Sequence, residues 1–182
     1  MMKPLIALSL TLAACADDPI SYSDDVGIAL KADVVDGMVV DEKNINTESG
    51  NPYAAFIADA RRALGTDPGS IEVDRVELAI ENGSSIAQLG QVFGGDVEVV
   101  FQINDTDRSY LVASGTIRPD LGAQQLAVSF SSAAVDAADA ADYPRLVSGG
   151  FKVILTGPAA AGFDGTSGTA DLQVTFNFAA FE

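Results

Sequence analysis

The sequence contains no histidine and no tryptophan, and it has a single cysteine and only ten lysine and arginine residues in 182. Without histidine, the chain cannot build a Ser-His-Asp or Cys-His catalytic centre, a histidine-ligated zinc site or an imidazole general base. One cysteine excludes both a disulfide within the chain and a cysteine-based metal cluster. These absences exclude the commonest forms of nucleophilic and zinc-dependent catalysis.

Basic residues are also scarce relative to acidic ones. The 26 aspartate and glutamate residues give a formal net charge of −16 and a pI near 4.1. Binding to nucleic acid needs clustered lysine and arginine, so we expect no nucleic-acid partner. The length suits one domain, and the 48% of hydrophobic residues is enough to build its core.

The chain begins with a short leader of the secretory type, residues 1–14. Lys3 supplies the positive charge, and a run of apolar residues from Leu5 to Ala14 follows it. This run is shorter than the roughly 20 residues that a membrane-spanning helix needs. The leader therefore predicts export rather than a transmembrane anchor.

The leader ends in Leu12-Ala13-Ala14-Cys15, which resembles the lipobox of bacterial lipoproteins. The resemblance covers the leader alone. It implies signal cleavage between Ala14 and Cys15, a diacylglyceryl group on the Cys15 sulfur and an acylated amino terminus carrying fatty acids such as palmitate. Two or more acyl chains anchor a protein stably to a lipid bilayer. We therefore expect a membrane-anchored lipoprotein of the bacterial cell envelope.

The residue after the cysteine bears on which membrane is used. In the lipoprotein family, an aspartate there favours retention in the inner membrane of some Gram-negative bacteria. This chain has Ala16 instead, which favours the outer membrane over the inner. We predict that residues 15–25 are the lipidated cysteine and an acidic tether, and that residues 26–182 form a single domain.

The domain alternates apolar and polar residues in short runs separated by turn signals. This period of two is typical of antiparallel strands that each bury one side. We predict a mainly β fold: an antiparallel β-sandwich of about eight strands with two or three short helices. The predicted strands are 26–35, 38–41, 70–82, 96–103, 109–118, 124–131, 150–156 and 169–181, with a β-bulge near Asp74 and Arg75.

Three segments favour helix. Residues 51–64 carry an N-cap asparagine, a proline at the first helical position and an apolar stripe. Residues 85–93 offer a capping box from Ser85 and Gln88. Residues 133–142 are rich in alanine and aspartate, and we predict an exposed helix or loop that ends at Pro144.

Two acidic groups are the candidate metal sites. Asn104, Asp105 and Asp107 share one predicted hairpin turn, and they supply the hard oxygen ligands that calcium prefers. The second group, Asp136, Asp139 and Asp142, would lie along one side of a helix. Both groups are also explained by ordinary solvated turns and helix faces, so calcium is a possible ligand rather than a required cofactor.

No other constellation points to catalysis, and we therefore expect a non-enzymatic structural, adhesive or interaction role. The expected partners are the bilayer, through acylated Cys15, and an envelope protein or glycan. Apolar residues near loops, including Phe163, could form a patch for a partner. The alternatives are a calcium-dependent glycan- or protein-binding module, and a hydrolase that uses two carboxylates.

Overall fold

The computed structural model describes residues 20–46, 48, 50–166 and 170–182. Its strands are β1 (Ser21–Lys31), β2 (Val34–Val35), β3 (Met38–Asn44), β4 (Ser70–Ile80), β5 (Asp96–Ile103), β6 (Ser109–Thr116), β7 (Ala123–Val128), β8 (Phe151–Pro158) and β9 (Asp171–Phe181). Its helices are α1 (Pro52–Leu64), α2 (Ser132–Ala138) and α3 (Asp142–Val147), with a 3-10 turn at Leu89–Gln91. The predicted mainly β, antiparallel architecture is confirmed. No helix in the described ranges is both long enough and apolar enough to cross a membrane.

The strands form one curled antiparallel sheet with the order β1-β9-β4-β7-β6-β5-β8-β3-β2. Only two residue pairs join β6 to β7, so the sheet folds there into two halves. The inner surfaces of the halves face each other: the ring of Phe101 on β5 lies 5.4 Å from that of Phe176 on β9. The two layers of the predicted sandwich are thus parts of one sheet.

The two ends of the sheet meet where β1 leads into β2. The Val40 amide of β3 donates to the Asp33 carbonyl at 2.9 Å, and the Lys31 amide donates to Asp41 Oδ2 at 2.5 Å. The hairpin from β2 to β3 turns at Asp36 and Gly37, which have φ angles of 52° and 78°. The predicted Asp-Gly turn is confirmed, and this conformation explains why glycine stands at its second position.

Helix α1 packs along β1 and completes an aromatic core. Asn51 caps it by accepting the Tyr53 amide at 2.9 Å, and Gly65 ends it in the left-handed conformation. Its buried Tyr53 and Phe56 rings lie 5.2 and 5.3 Å from the ring of Phe178 on β9. The predicted helix at 51–64 and its apolar stripe are confirmed.

Helices α2 and α3 close one end of the core. Glu72 of β4 accepts a hydrogen bond of 2.8 Å from the hydroxyl of Ser132, in the first turn of α2. The Tyr53 hydroxyl donates to the Leu146 carbonyl, and the Tyr143 hydroxyl donates to the Pro68 carbonyl, both at 2.9 Å. These bonds join α2 to the sheet, and they join α3 to α1 and to the loop before β4.

The same end holds the first residue of β1 and the last residue of β9. Ser21 and Ser70 both pair with Phe181, and the Gly69 amide donates to the Phe181 carbonyl at 2.8 Å. We call this the terminal end. The β2–β3 hairpin lies at the opposite end, where Met38 pairs with Pro158.

Strand β1 begins at Ser21, five residues before the predicted start of the domain. Residues 21–25 pair in register with β9, and Asp25 binds Arg75 and Asn177 at 2.9 and 2.7 Å. The tether prediction was wrong for these residues because the backbone of residues 21–25 joins the sheet while the side chains of Asp24 and Asp25 stay exposed at its end. The predicted bulge in β4 is confirmed, since the register shifts between Val73 and Arg75.

The helix prediction for residues 85–93 was wrong beyond the single 3-10 turn. The Leu89 amide donates to the Leu121 carbonyl at 2.7 Å instead of to a carbonyl one turn earlier. Gly90 lies against Pro119 so closely that a Cβ atom would be 2.3 Å from the Pro119 Cα. Packing against the loop after β6 therefore overrides the helical pattern, and the capping box forms between Gln88 and Gln91.

Candidate functional site

The outward surfaces of the two halves differ in chemistry. In the three middle register rows of β1, β9, β4 and β7, the outward residues are charged, amide-bearing, hydroxyl-bearing or small: Asp25, Asn177 and Arg75; Gly27, Thr175, Glu77 and Gln125; Ala29, Gln173, Ala79 and Ala123. The half-buried Phe181 lies on the same side, at the terminal end of β9. We call this surface the polar face. The outward surface of β3, β8, β5 and β6 carries large aliphatic side chains, and we call it the aliphatic face.

The centre of the aliphatic face is a row of three aliphatic residues on adjacent strands. Ile154 of β8 pairs with Val100 of β5, which pairs with Leu111 of β6. The register between β5 and β6 shifts beside Val100, so Val112 and Ala113 are both buried while Leu111 faces solvent with 42% exposure. A β-bulge therefore exposes a leucine in the middle of a strand.

The row continues toward the β2–β3 hairpin. Val35 pairs with Met38, and these side chains are 58% and 39% exposed. Val40 pairs with Thr156, between the hairpin and the central row. Three of the four large hydrophobic side chains that are exposed in the described ranges, Val35, Met38 and Leu111, thus belong to this half.

Toward the terminal end, the aliphatic face becomes polar. Asn44, Lys152 and Gln102 form the next register row, beside an open depression of about 630 Å³ that the β5–β6 turn also lines. The Lys152 ammonium donates to Glu42 at 3.0 Å, so this cation is paired. The depression offers amide, hydroxyl and carboxylate oxygens to solvent.

The predicted hairpin turn over 104–108 is confirmed and lies in this depression. Asp105 has a φ of 60°, which aspartate tolerates in turns. The Thr106 hydroxyl donates to the Ile103 carbonyl at 2.9 Å, and the Arg108 amide donates to the Thr106 hydroxyl at 3.2 Å. These bonds fold the turn, while Asp105 and Asp107 remain exposed.

The second acidic group is divided by the structure. Asp136 is exposed and Asp139 is half-buried, but Asp142 is fully buried. The helix predicted over 133–142 ends at Ala138, and Asp142 starts α3, which contains Pro144. The prediction of one solvated helix face was therefore wrong for Asp142, and Pro144 lies near the start of a helix where its missing N–H is tolerated.

Asp142 is held by a cation that the sequence did not point to. Arg108 Nε and Nη2 donate to the two Asp142 oxygens at 2.5 and 2.6 Å, and the Tyr110 hydroxyl donates at 2.7 Å. Arg108 Nη2 also lies 3.1 Å from Asp139 Oδ2. This bidentate, charge-assisted arrangement ties α3 to β6.

The pKa shifts agree with that geometry. Hydrogen bonding from Arg108 holds the pKa of Asp142 below its ordinary value, against the effect of burial. Burial, with the hydrogen bond to Asp142, raises the pKa of Tyr110 to about 12. The Asp142 carboxylate therefore stays ionised and the Tyr110 phenol stays neutral near pH 7. The cluster is a structural ion pair.

Neither acidic group assembles into a carboxylate cage. In the part of the chain that the structure describes, no group of three or more aspartate, glutamate, cysteine or histidine side chains is placed to hold a metal ion. Asp139 and Asp142 face a guanidinium. Asp142 is also the one fully buried carboxylate of the described ranges, and it is bound to Arg108 and Tyr110. The hydrolase alternative stays a prediction.

The aliphatic face had a signal in the sequence that the strand predictions did not use. The runs Val99-Val100-Phe101 and Val153-Ile154-Leu155 interrupt the alternation of apolar and polar residues. Because successive side chains of a strand point to opposite faces, such a run must place at least one of its apolar residues on the outward face. Arg108 and Tyr110 had no comparable signal, since their partner Asp142 is more than 30 residues away.

The lipidation residues Ala14 and Cys15 lie outside the described residues. No protein-family model matches this chain, and no curated protein sequence matches it.

Proposed function

We propose that this chain is a lipid-anchored protein of the bacterial cell envelope whose folded domain has a non-enzymatic role and binds a partner through the aliphatic face. The anchor is Cys15, supported by the lipobox at 12–15. The outer membrane is favoured over the inner because Ala16 follows the cysteine. The binding role is supported most directly by the outward row Ile154, Val100 and Leu111, in which Ile154 and Val100 are half-buried and Leu111 is exposed.

The position of the anchor makes this face available. Since β1 begins at Ser21, five residues, 16–20, separate the proposed anchor from the sheet, and five residues span at most about 17 Å. The terminal end of the domain then lies near the membrane, and strand β1, roughly 35 Å long at about 3.3 Å per residue, rises away from it. The aliphatic face becomes a side wall of the domain, open to a partner in the envelope.

The anchor is tested by Cys15→Ser. We expect the variant to lose fatty-acid labelling and to move from the membrane fraction to the soluble fraction. Ser23→Ala, at an exposed position past the tether, is the control that should stay membrane-bound. A Cys15→Ser protein that remains labelled and membrane-bound would contradict the lipoprotein assignment.

The binding role is tested by photo-crosslinking from each face in cells that make the protein. A photoreactive amino acid is placed at Leu111 on the aliphatic face, and at Thr175 on the polar face as the control. We expect a discrete adduct from position 111 and none from position 175. Equal adducts from both positions, or an adduct from position 175 alone, would argue against the aliphatic face as the binding surface.

A further inference from the structure

We infer that the partner of the aliphatic face is a cationic protein surface, one that presents aliphatic side chains flanked by lysine or arginine. This inference rests on the proposed function and adds the chemistry of the partner. It follows from two properties of the face: its aliphatic centre and the charge that surrounds it.

The charge around the aliphatic row is almost entirely negative. Glu98 and Asp96 stand outward on β5, and Glu42 stands outward on β3 beside Ile154. The other carboxylates are exposed in the two adjoining turns: Asp36, Asp105 and Asp107. Over the same rows and turns there are two cations, and both are already bonded: Lys152 to Glu42 and Arg108 to Asp142.

This charge distribution argues against a second copy of the chain as the occupant. Face-to-face association would bring two identical sets of carboxylates together, and each copy carries a strongly negative net charge. Like charges brought together across an interface oppose association. The same repulsion disfavours binding of the aliphatic face to a surface of anionic lipid headgroups. A cationic protein surface instead gains from both the aliphatic row and its acidic surroundings.

The face is less suited to a glycan. Sugar rings in protein sites usually stack on aromatic side chains, and the outward rows of β3, β8, β5 and β6 consist of aliphatic, polar and charged residues in the described register. The polar depression beside Asn44 and Gln102 could bind hydroxyl groups, so a glycan is one of the outcomes that the experiment must separate.

The test uses ¹⁵N-labelled protein from Ala16 onward, which keeps every described contact, and three synthetic peptides. The peptides are alternating leucine-lysine, leucine-serine and leucine-glutamate repeats of equal length. We expect the leucine-lysine peptide to shift the amide resonances of the aliphatic face around Val100, Leu111 and Ile154, and to leave those around Thr175 unchanged. Binding should weaken about tenfold from low to high salt.

Variants separate the aliphatic contribution from the charge contribution. Leu111→Ser should weaken the leucine-lysine peptide about fivefold, because a half-exposed leucine loses the apolar area it would bury. Its control on the polar face, Ala79→Ser, should not change binding. Glu98→Gln should reduce the salt dependence, whereas Glu77→Gln, its counterpart on the polar face, should leave it unchanged.

Three outcomes would overturn the inference. Equal binding of all three peptides at the aliphatic face would mean that the face docks partners without selecting cations, and the proposed binding role would still stand. Leucine-lysine binding on the polar face, or at neither face, would remove the cationic partner. Shifts of the aliphatic face with soluble peptidoglycan fragments but not with the leucine-lysine peptide would identify a glycan as the occupant.

Discussion

The two halves of the sheet have equally apolar inner surfaces but different outer ones. Thr175 of β9 is flanked by Gly27 and Glu77, whereas Val100 of β5 is flanked by Ile154 and Leu111. The Thr175 row and the Val100 row both consist of outward residues in the middle of strands. Strand formation therefore requires no more of one row than of the other. Because the polar face shows that this fold does not need aliphatic residues on the outside, those on the aliphatic face call for another explanation, and binding supplies one.

The largest expected effect is a difference in unfolding free energy between substitutions on the inner and the outer side of one strand, β5. Phe101 is buried against Phe130, Phe151 and Phe176. Phe101→Ala should lower the free energy of unfolding by about 4 kcal/mol. Its neighbour Val100 points outward, and Val100→Ala should cost less than about 1 kcal/mol. Chemical denaturation measures both, and equal losses would show that the outer valine belongs to the core.

The next effect concerns the ion pair at the terminal end. Asp142→Asn should lower the free energy of unfolding by roughly 2 kcal/mol near pH 7, because Arg108 and Tyr110 lose a charged acceptor. Arg108 holds the pKa of Asp142 below its ordinary value of 3.8. A lowered pKa in the folded state stabilises the fold above the unfolded pKa, and that stabilisation disappears as the pH falls through the folded pKa.

The difference in stability between the parent and Asp142→Asn should therefore be constant from about pH 8 to pH 5 and should shrink below about pH 4. Denaturation at a series of pH values measures it. Asp136→Asn, at an exposed position of the same predicted acidic group, is the control and should cost little at any pH. A difference that instead grows as the solution becomes more acidic would contradict the ion pair.

A smaller effect is expected when a polar residue is placed on the aliphatic face and an aliphatic residue on the polar face. Leu111→Ser should shorten retention on a hydrophobic interaction column without changing the melting temperature by more than about 2 °C, because surface substitutions rarely exceed 0.5 kcal/mol. Thr175→Val should lengthen retention, since it adds an aliphatic group to the polar face. Unchanged retention in both variants would show that neither side chain reaches solvent.

The smallest effect is expected from calcium. Because the described residues contain no group of three or more aspartate, glutamate, cysteine or histidine side chains placed to hold a metal ion, saturating calcium should shift the melting temperature by less than about 2 °C. Asp105→Asn with Asp107→Asn should melt at the same temperature with calcium or with chelator. A rise of about 5–10 °C with calcium, lost in the double variant, would identify the turn at 104–107 as a metal site.

Local signals in the sequence predicted local structure well. The Asn51 cap, the Asp36-Gly37 turn, the bulge near Arg75 and the strand periodicity all depend on residues close together in the chain, and the structure confirms each. The helix predicted over 85–93 failed because a distant loop at Pro119 decides the backbone of Gly90. Tertiary packing overrides weak helical patterns in this way.

The surfaces were harder to predict for the same reason. Alternation identifies which residues share a face, but strand order decides which rows become neighbours. Only the pairing of β8 with β5 and of β5 with β6 brings Ile154, Val100 and Leu111 together. Likewise, the burial of Asp142 depends on Arg108, which reaches it across the fold from the start of β6. Neither juxtaposition could be derived from spacing along the chain.

The most direct measurement of the central claim compares the accessibility of the two faces inside the envelope. Leu111→Cys and Thr175→Cys are labelled with a maleimide in intact envelopes and again after purification; the acylation that we propose would keep Cys15 from reacting. We predict that position 111 is protected in the envelope and labelled when pure, while position 175 is labelled equally in both. Equal labelling of both positions in the envelope would contradict the claim that the aliphatic face is a binding surface.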